Sequence, residues 1–410
     1  NTVFSADGEE VRPMPVSAGE HTDKYEQFCK CFDMRDGLLQ RSFVYHTESG
    51  KTLSFHFERI VSLERMHIMA VRCTVKTDRD VQLKIRSGII NTEPDCFVEK
   101  TARSAQSSVG YTCVTDESGI TFSLATDARC TLGARELRRI GVSEEPDAIF
   151  EDFSFTLSPD ETLVFEKICA VHTSRDLENE SLSTEQIVAK TVAQVEGAPG
   201  FETLYRESAD AWKRLWQEKD IIVDTDWEFE RQAIRYAIYN LTITVPRHDA
   251  RMNIGARGLQ GHGYNNHVFW DTEVYMLPHF IFTEPQAARK LLQYRYFGLA
   301  GARQKAKDCG YTGAMYPWEA AWMTDVECCP AFAETGRYEH HITGDVVQAI
   351  FYYTVATGDR TFLEKYGYEI IFSTAKYWTS RVHYNEALDR YEILDTIGPD
   401  ENREHIDNNA

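Results

Sequence analysis

The sequence predicts a multidomain protein: an N-terminal antiparallel β-sandwich over 1–180, a helical linker over 181–225, and a helix-built domain over 226–410. Three observations lead there. Polar and apolar residues alternate with period two as far as Thr173. Apolar residues recur at helical spacing after Ser183, and beyond Glu228 helical stretches alternate with long polar loops.

The strand signal is clearest in Leu53-Ser-Phe-His-Phe57, Val71-Arg-Cys-Thr-Val75, Val81-Gln-Leu-Lys-Ile85 and Leu163-Val-Phe-Glu-Lys-Ile168. Period two places alternate side chains on one buried face. Glu48-Ser-Gly50, Asp116-Glu-Ser-Gly119 and Ser158-Pro-Asp160 supply turns at hairpin intervals, too close for crossover helices. A closed barrel gives the same pattern, so sandwich and barrel both fit.

Ser183-Thr-Glu-Gln186 reads as a helix start, with apolar residues at helical spacing over 187–195. A second helix is expected over 201–219, with Leu204, Trp212, Leu215 and Trp216 on one face and Gly197-Ala-Pro-Gly200 breaking the two apart. This pair is expected to connect domains and carry no chemistry. Helices follow over 229–245, 271–282, 285–308, 343–357 and 361–384. The loops 247–270 and 310–341 are too long for a simple bundle, and they hold the Gly, Trp, His and carboxylate residues that a site needs.

Composition narrows the function classes. A net charge of −20 leaves no basic surface for a phosphate backbone, which excludes nucleic acid as the expected partner. No apolar run is long enough to span a bilayer, and residues 1–10 lack the basic and apolar regions of a signal peptide, so a cytoplasmic location and no membrane partner are expected. The ten cysteines are thinly spread and expected to be reduced thiols. Cys29-Lys-Cys31 and Cys328-Cys329 lack a second pair at zinc spacing, so no metal is expected from them. A chain that begins without Met and stops at Asn408-Asn409-Ala410, directly after a polar motif, is expected to be truncated at both ends.

Four loop blocks carry the chemistry: Gly255-Ala-Arg-Gly-Leu-Gln-Gly261, His267-Val-Phe-Trp-Asp-Thr-Glu273, Tyr316-Pro-Trp-Glu319, and Ile397-Gly-Pro-Asp-Glu401 with His405 to Asn409. Sugar sites need this mixture of aromatic rings, which lie against the CH-rich pyranose faces, and carboxylates, which bond the hydroxyls. Other readings stay open on the residues alone. Asp271 fits a helix N-cap with Trp270 as a core anchor, and Asp400 and Glu401 fit capping or pairing with Arg403. His340, His341 and His405 fit structural hydrogen-bond partners better than acids or bases.

The blocks occur in a recognisable order: Gly263-Tyr264, His267 to Glu273, Tyr294-Arg-Tyr296, Gly313-Ala-Met-Tyr-Pro-Trp-Glu319, then Gly398-Pro-Asp-Glu401 before Asp407-Asn-Asn409. The chain resembles glycoside hydrolase family 65, the inverting disaccharide phosphorylases acting on maltose, trehalose, kojibiose and nigerose. The resemblance extends from Asp33-Met-Arg-Asp-Gly-Leu-Leu-Gln-Arg-Ser-Phe43 to Asn409.

It implies that the helical domain is the first half of an (α/α)6 barrel, which would expose apolar faces. It also implies Glu401 as the catalytic general acid, with Trp270, Asp271, Trp318 and Glu319 binding the glucosyl unit of the substrate. Inorganic phosphate is then a co-substrate, with no other cofactor; an α-linked disaccharide is the partner, and a homodimer fits the family.

The chemistry beside the resemblance is consistent. Cleavage needs a proton on the leaving oxygen and a nucleophile on the opposite ring face. The phosphate dianion needs no base, so one carboxylic acid suffices. Glu401 must hold its proton, which calls for burial or neighbouring negative charge from Asp400 and phosphate. Asn402-Arg403 departs from the Tyr common after this motif in relatives, and the loops 261–267 and 320–330 are expected to set the acceptor. The family's phosphate loop is expected beyond Ala410. The alternatives are an inverting α-glucoside hydrolase on the same scaffold and a non-catalytic sugar-binding fragment.

Overall fold

Val81, Leu83 and Ile85 are buried while Gln82, Lys84 and Arg86 are exposed, and this alternation builds the first half of the chain. The computed structural model describes residues 2–11, 24–105, 107–261, 263–321 and 326–409. Among the described residues, fourteen strands occupy the first part: β1 Thr2–Ala6, β2 Glu9–Val11, β3 Tyr25–Asp33, β4 Leu38–His46, β5 Thr52–Val61, β6 Ile68–Thr77, β7 Val81–Ile90, β8 Phe97–Ser104, β9 Ser108–Thr115, β10 Thr121–Leu132, β11 Arg135–Leu137, β12 Gly141–Glu145, β13 Ala148–Leu157 and β14 Leu163–Thr173.

They form a five-stranded sheet, β12-β13-β7-β1-β2, and a nine-stranded sheet, β3-β4-β5-β6-β14-β10-β9-β8 with β11 on β10. Every pairing described between them is antiparallel. The larger of two buried clusters shared by the sheets holds most of the aromatic rings. Phe4 of β1 meets Phe55 of β5 and Phe165 of β14 edge-on, with centroids 5.5 and 6.1 Å apart. Of the two architectures the pattern allowed, the structure is the sandwich. Truncating Phe4 to Ala would cost about 3–5 kcal/mol.

The outer face of the larger sheet is covered by helices α1 Thr184–Glu196 and α2 Phe201–Lys219. Ser183 caps α1 through a reciprocal box with Gln186. Val195, Phe201 and Leu204 share a core with Leu38, Ile60, Ala125 and Ile168. At α2 the Trp216 indole N–H donates to Met34 O at 3.0 Å. Gly37 has φ +65°, and a Cβ there would stand 2.3 Å from the Trp212 indole nitrogen. The Asp33-to-Gly37 turn is therefore shaped by the helix above it. Division by contacts falls between Asn1–Glu218 and Lys219–Ala410. The segment expected as a linker over 181–225 thus lies mostly within the first unit, because its apolar side is spent on the sheet.

The second unit contains α3 Glu228–Thr244, α4 Leu277–Thr283, α5 Pro285–Phe297, α6 Leu299–Asp308, α7 Thr335–Tyr338, α8 Ile342–Thr357, α9 Arg360–Phe362 and α10 Tyr368–Arg381, then the hairpin β15 His383–Asn385 and β16 Arg390–Glu392. Leu277 and Phe280 of α4, Ala288 and Leu291 of α5, Val346, Ile350 and Tyr353 of α8 and Ile370 of α10 share one core. Three expected helices differ, and the stretch 361–384 is one of them: it runs as α9, a π-turn Leu363–Gly367 and α10, and ends at Arg381 ahead of the hairpin. The stretch 285–308 is two helices, because Gly298 ends α5 and holds helix interiors weakly. The stretch 271–282 opens with a π-turn, Thr272–Met276, ahead of Pro278, whose missing N–H removes a helical bond. Phe229, Phe282, Phe351, Val355 and Phe372 are exposed on this unit. No helix among the described residues is long and apolar enough to cross a membrane.

Candidate active site

Two of the sequence blocks are sewn together by backbone. Val268 and Ala320 exchange N–H···O bonds of 2.7 and 3.0 Å, which lays the His267-to-Glu273 block beside the Tyr316-to-Glu319 block. Behind this bridge, Arg295 of α5 is fully buried and holds Glu273 through two bonds of 2.8 and 2.9 Å. The same guanidinium donates to Phe269 O at 3.0 Å, which fixes the backbone just before Trp270. The Tyr316 hydroxyl donates to Arg295 O at 2.9 Å, so both blocks hang on α5.

Trp318 and Glu319 are buried, and their loop is clamped by Glu327. Glu327 accepts the N–H groups of Trp318 at 2.9 Å and Glu319 at 3.0 Å, and pairs with Lys305 at 2.5 Å. The Glu319 carboxylate meets His267 Nδ1 at 2.9 Å. Asp271 is helical in conformation and makes no capping bond, so the N-cap reading of this residue is not what the structure contains. Its half-buried carboxyl is pushed above the usual carboxylate range by burial.

The two tryptophans meet at His341. Its ring stands edge-on to Trp270, centroids 4.5 Å apart, and edge-on to Trp318 at 5.4 Å. Its nitrogens face Asp345 at 2.6 Å and Glu339 at 3.0 Å. Burial alone would lower the imidazole, but the bonds to Asp345 and Glu339 override it and push it up to about 9. Glu339 is fully buried. Burial pushes its carboxyl up to about 6; His341 opposes this, and the charges of Glu401 and Asp400 add to it. The adjacent His340 goes the other way, down to about 3, through burial and then Arg381. Neighbouring histidines thus differ fully in charge at neutral pH.

Glu339 also receives the last block. Its strand position pairs in parallel with Ile397, and the Ile397 N–H donates to Tyr338 O at 3.0 Å. Gly398 follows where a Cβ would stand 2.3 Å from Asn409 Nδ2 and 2.8 Å from Asn409 O. Glu401 ends the turn with φ +52° and its N–H on Gly398 O at 2.9 Å. Its side chain is exposed. Of the two expected ways of keeping its proton, burial and the neighbouring charge of Asp400 and phosphate, the first is not supplied by the described residues. Among the described residues neither Asp400 nor Glu401 pairs with Arg403. His405 sits between Asp395 at 2.6 Å and Glu334 at 2.8 Å.

Trp270, Trp318 and Glu319 are thus gathered around the Val268–Ala320 bridge and His341, with Asp271 next in chain to Trp270. The block that carries Glu401 is tied to this group through the backbone pairing of Ile397 with Glu339. The loops expected to set the acceptor, 261–267 and 320–330, lie partly outside the described residues, at 262 and 322–325. Sequence reasoning passed over Glu339, Glu327 and Asp345 and set His341 aside. The available signal was the run Glu339-His340-His341 closing a long loop, three titratable groups together where a helix begins.

Two family models match the chain: glycosyl hydrolase family 65, N-terminal domain, over 2–215, and glycosyl hydrolase family 65 central catalytic domain over 235–410. Kojibiose phosphorylase of Halothermothrix orenii is 38% identical over 410 residues, covering 94% of this chain and 52% of its own. Kojibiose hydrolase of Flavobacterium johnsoniae is 32% identical over 389 residues, covering 92% of this chain and 54% of its own. A solved structure described as "Putative kojibiose phosphorylase from human microbiome" superposes with a TM-score of 0.86 at 22% identity, covering 99% of this chain and 52% of that one. The chain spans about half the length of the curated relatives it matches.

Proposed function

The chain belongs to glycosyl hydrolase family 65, and we propose that it serves inverting phosphorolysis of an α-glucosyl disaccharide to β-glucose 1-phosphate and a free acceptor sugar. The observation that carries the sugar site is the wall formed by Trp270, His341 and Trp318, held beside the Gly398-to-Glu401 turn by the Glu339–Ile397 pairing. Apolar ring faces next to fixed carboxylates suit a pyranose. Glu401 gives its proton to the glycosidic oxygen as the C1–O bond breaks, and a phosphate oxygen bonds C1 from the opposite face. Asp271 and Glu319 bond sugar hydroxyls, and those bonds strengthen as positive charge grows on the ring. The helical unit is proposed as part of an (α/α)6 barrel. A homodimer and a cytoplasmic setting belong to the same reading.

Phosphate as nucleophile is supported by the phosphorylase among the relatives, and water by the hydrolase. An assay of the full-length protein on kojibiose, trehalose, maltose and nigerose, with and without phosphate, separates them. Glucose 1-phosphate formed only with phosphate is expected. Glucose released without phosphate overturns phosphorolysis in favour of hydrolysis, and loss of either activity in Glu401→Gln with folding retained supports the acid. Inertness on every sugar, with binding intact, would favour a non-catalytic role.

A further inference from the structure

A second group of chemistry-bearing side chains lies in the sandwich unit, outside everything described above. His67 sits in the turn between β5 and β6 with φ +74°. His172 is near the end of β14, and Asp176 and Glu178 follow in the turn that leaves it. Val171 N–H donates to His67 O at 3.2 Å, which ties the two turns together. The imidazoles of His67 and His172 stack with centroids 4.0 Å apart. One ligating atom from each of the four residues lies within 4.8 Å of every other. His67 Nε2 is 2.9 Å from Glu178, His172 Nδ1 is 3.7 Å from Asp176, and His67 Nδ1 is 3.9 Å from Asp176. Ligand atoms around tetrahedral zinc, with bonds of about 2.0–2.2 Å, stand about 3.4 Å apart.

Hydrogen bonding settles which nitrogen of His172 is free. The Gln194 amide nitrogen donates to Met66 O at 3.0 Å, so the amide oxygen is the atom that faces His172 Nε2. In the neutral ring Nε2 therefore carries the hydrogen, and Nδ1 presents a lone pair. The Asn179 amide nitrogen is 3.5 Å from that lone pair, but its two hydrogens go to Thr173 O at 2.8 Å and Asp176 at 3.1 Å. Its oxygen is fixed by Lys190 at 2.7 Å. His172 Nδ1 and the Asp176 carboxylate thus face each other across 3.7 Å, close to the separation of two ligands on one ion. One divalent ion satisfies both nitrogens and both carboxylates.

We infer that His67, His172, Asp176 and Glu178 bind one divalent first-row transition cation, zinc foremost, pinning the β5–β6 turn to the exit of β14. Imidazole with carboxylate suits zinc better than magnesium. Gln194 supplies the outer hydrogen bond that orients a ligating histidine. Lys190, 3.5 Å from Glu178, competes with the ion for that carboxylate. Position 67 lies more than a hundred residues before 172, 176 and 178, so the four form no compact sequence motif.

The test titrates the chelator-treated full chain with zinc chloride, and with magnesium chloride as a control, by calorimetry and by metal analysis after gel filtration. One equivalent of zinc is expected, with a raised unfolding temperature and no such effect of magnesium. His67→Ala and Glu178→Gln, at the edge of the group, should each weaken binding at least tenfold. His172→Ala should abolish it if the variant folds. Lys190→Met should tighten it severalfold, since it removes the competing charge. Glu334→Gln with His405→Ala, in a second group of His and carboxylates close enough together to hold an ion, should leave it unchanged. Absence of stoichiometric uptake by the unaltered chain, or uptake untouched by His67→Ala and Glu178→Gln, overturns the site.

Discussion

The imidazole of His341 stands edge-on to the indole of Trp270, ring centroids 4.5 Å apart, while its nitrogens face Asp345 and Glu339. The packing partner of the proposed sugar wall is therefore a cation between two carboxylates. This coupling makes the wall sensitive to pH, and the sign follows from the proton count. The folded chain keeps a proton on His341 up to about 9, against 6.5 ordinarily. Its stabilisation is complete below the unfolded value and is lost as pH rises through the folded one. The contribution is on the order of 3 kcal/mol. The unfolding temperature of the second unit should fall between pH 6.5 and 9, and His341→Gln should start lower and lose that slope. An unchanged slope in the variant would assign the titration elsewhere.

Arg295 and Glu273 form a second ion pair, with side chains 0% and 1% exposed. Removing one partner leaves a charge in a place that water cannot reach, so Glu273→Met should destabilise the unit by about 3–5 kcal/mol. Arg295→Met with Glu273→Met should recover much of that loss, because no lone charge remains. A double-mutant cycle by chemical denaturation checks it; two additive losses would show that packing, rather than charge, carries the effect.

Glu327 touches no sugar in the proposed arrangement, yet its two oxygens hold the backbone of Trp318, Glu319 and Cys329 and the ammonium of Lys305. In Glu327→Gln one oxygen becomes a donor facing donors, so the loop must shift. Because small misplacement of substrate-binding groups costs about 100-fold, kcat/KM on the preferred disaccharide should drop by roughly 10–100-fold while the circular dichroism spectrum is retained. An unaltered kcat/KM would show that the loop holds its shape without the clamp.

The strands were legible because burial of one face writes period two into the chain, as in Val81 to Ile85. Which surface that face packs on is not written there, so sandwich and barrel separate only once Phe4 is seen against Phe55 and Phe165. Ser183 and Gln186 announce their helix because the capping box is local. Gly298 and Pro278 are local signals too, but apolar periodicity runs through both and conceals the break and the π-turn. In the site, the tryptophans and their carboxylates stand out as motifs. Glu339, Glu327 and Asp345 do not, since their roles arise from pairing with residues brought in by other elements. Nor does the exposure of Glu401 follow from its sequence neighbours.

Gly398 connects the bridged position Ile397 to Glu401 and tests whether that geometry matters. A Cβ at 398 would stand 2.3 Å from Asn409 Nδ2 and 2.8 Å from Asn409 O. The first contact is with the end of a side chain and the second with backbone, so only part of the clash is relieved by a rotamer change. Gly398→Ala should therefore displace the turn carrying Glu401 and lower kcat more than KM, because binding by Trp270 and Trp318 is left in place. Asn409→Ala added to it removes the side-chain contact and leaves the backbone one, so activity should return partially. Full return would locate the whole constraint in the Asn409 amide, and no return would locate it in the backbone. An unaffected kcat in Gly398→Ala itself would show that the close approach at 398 does not set the position of Glu401.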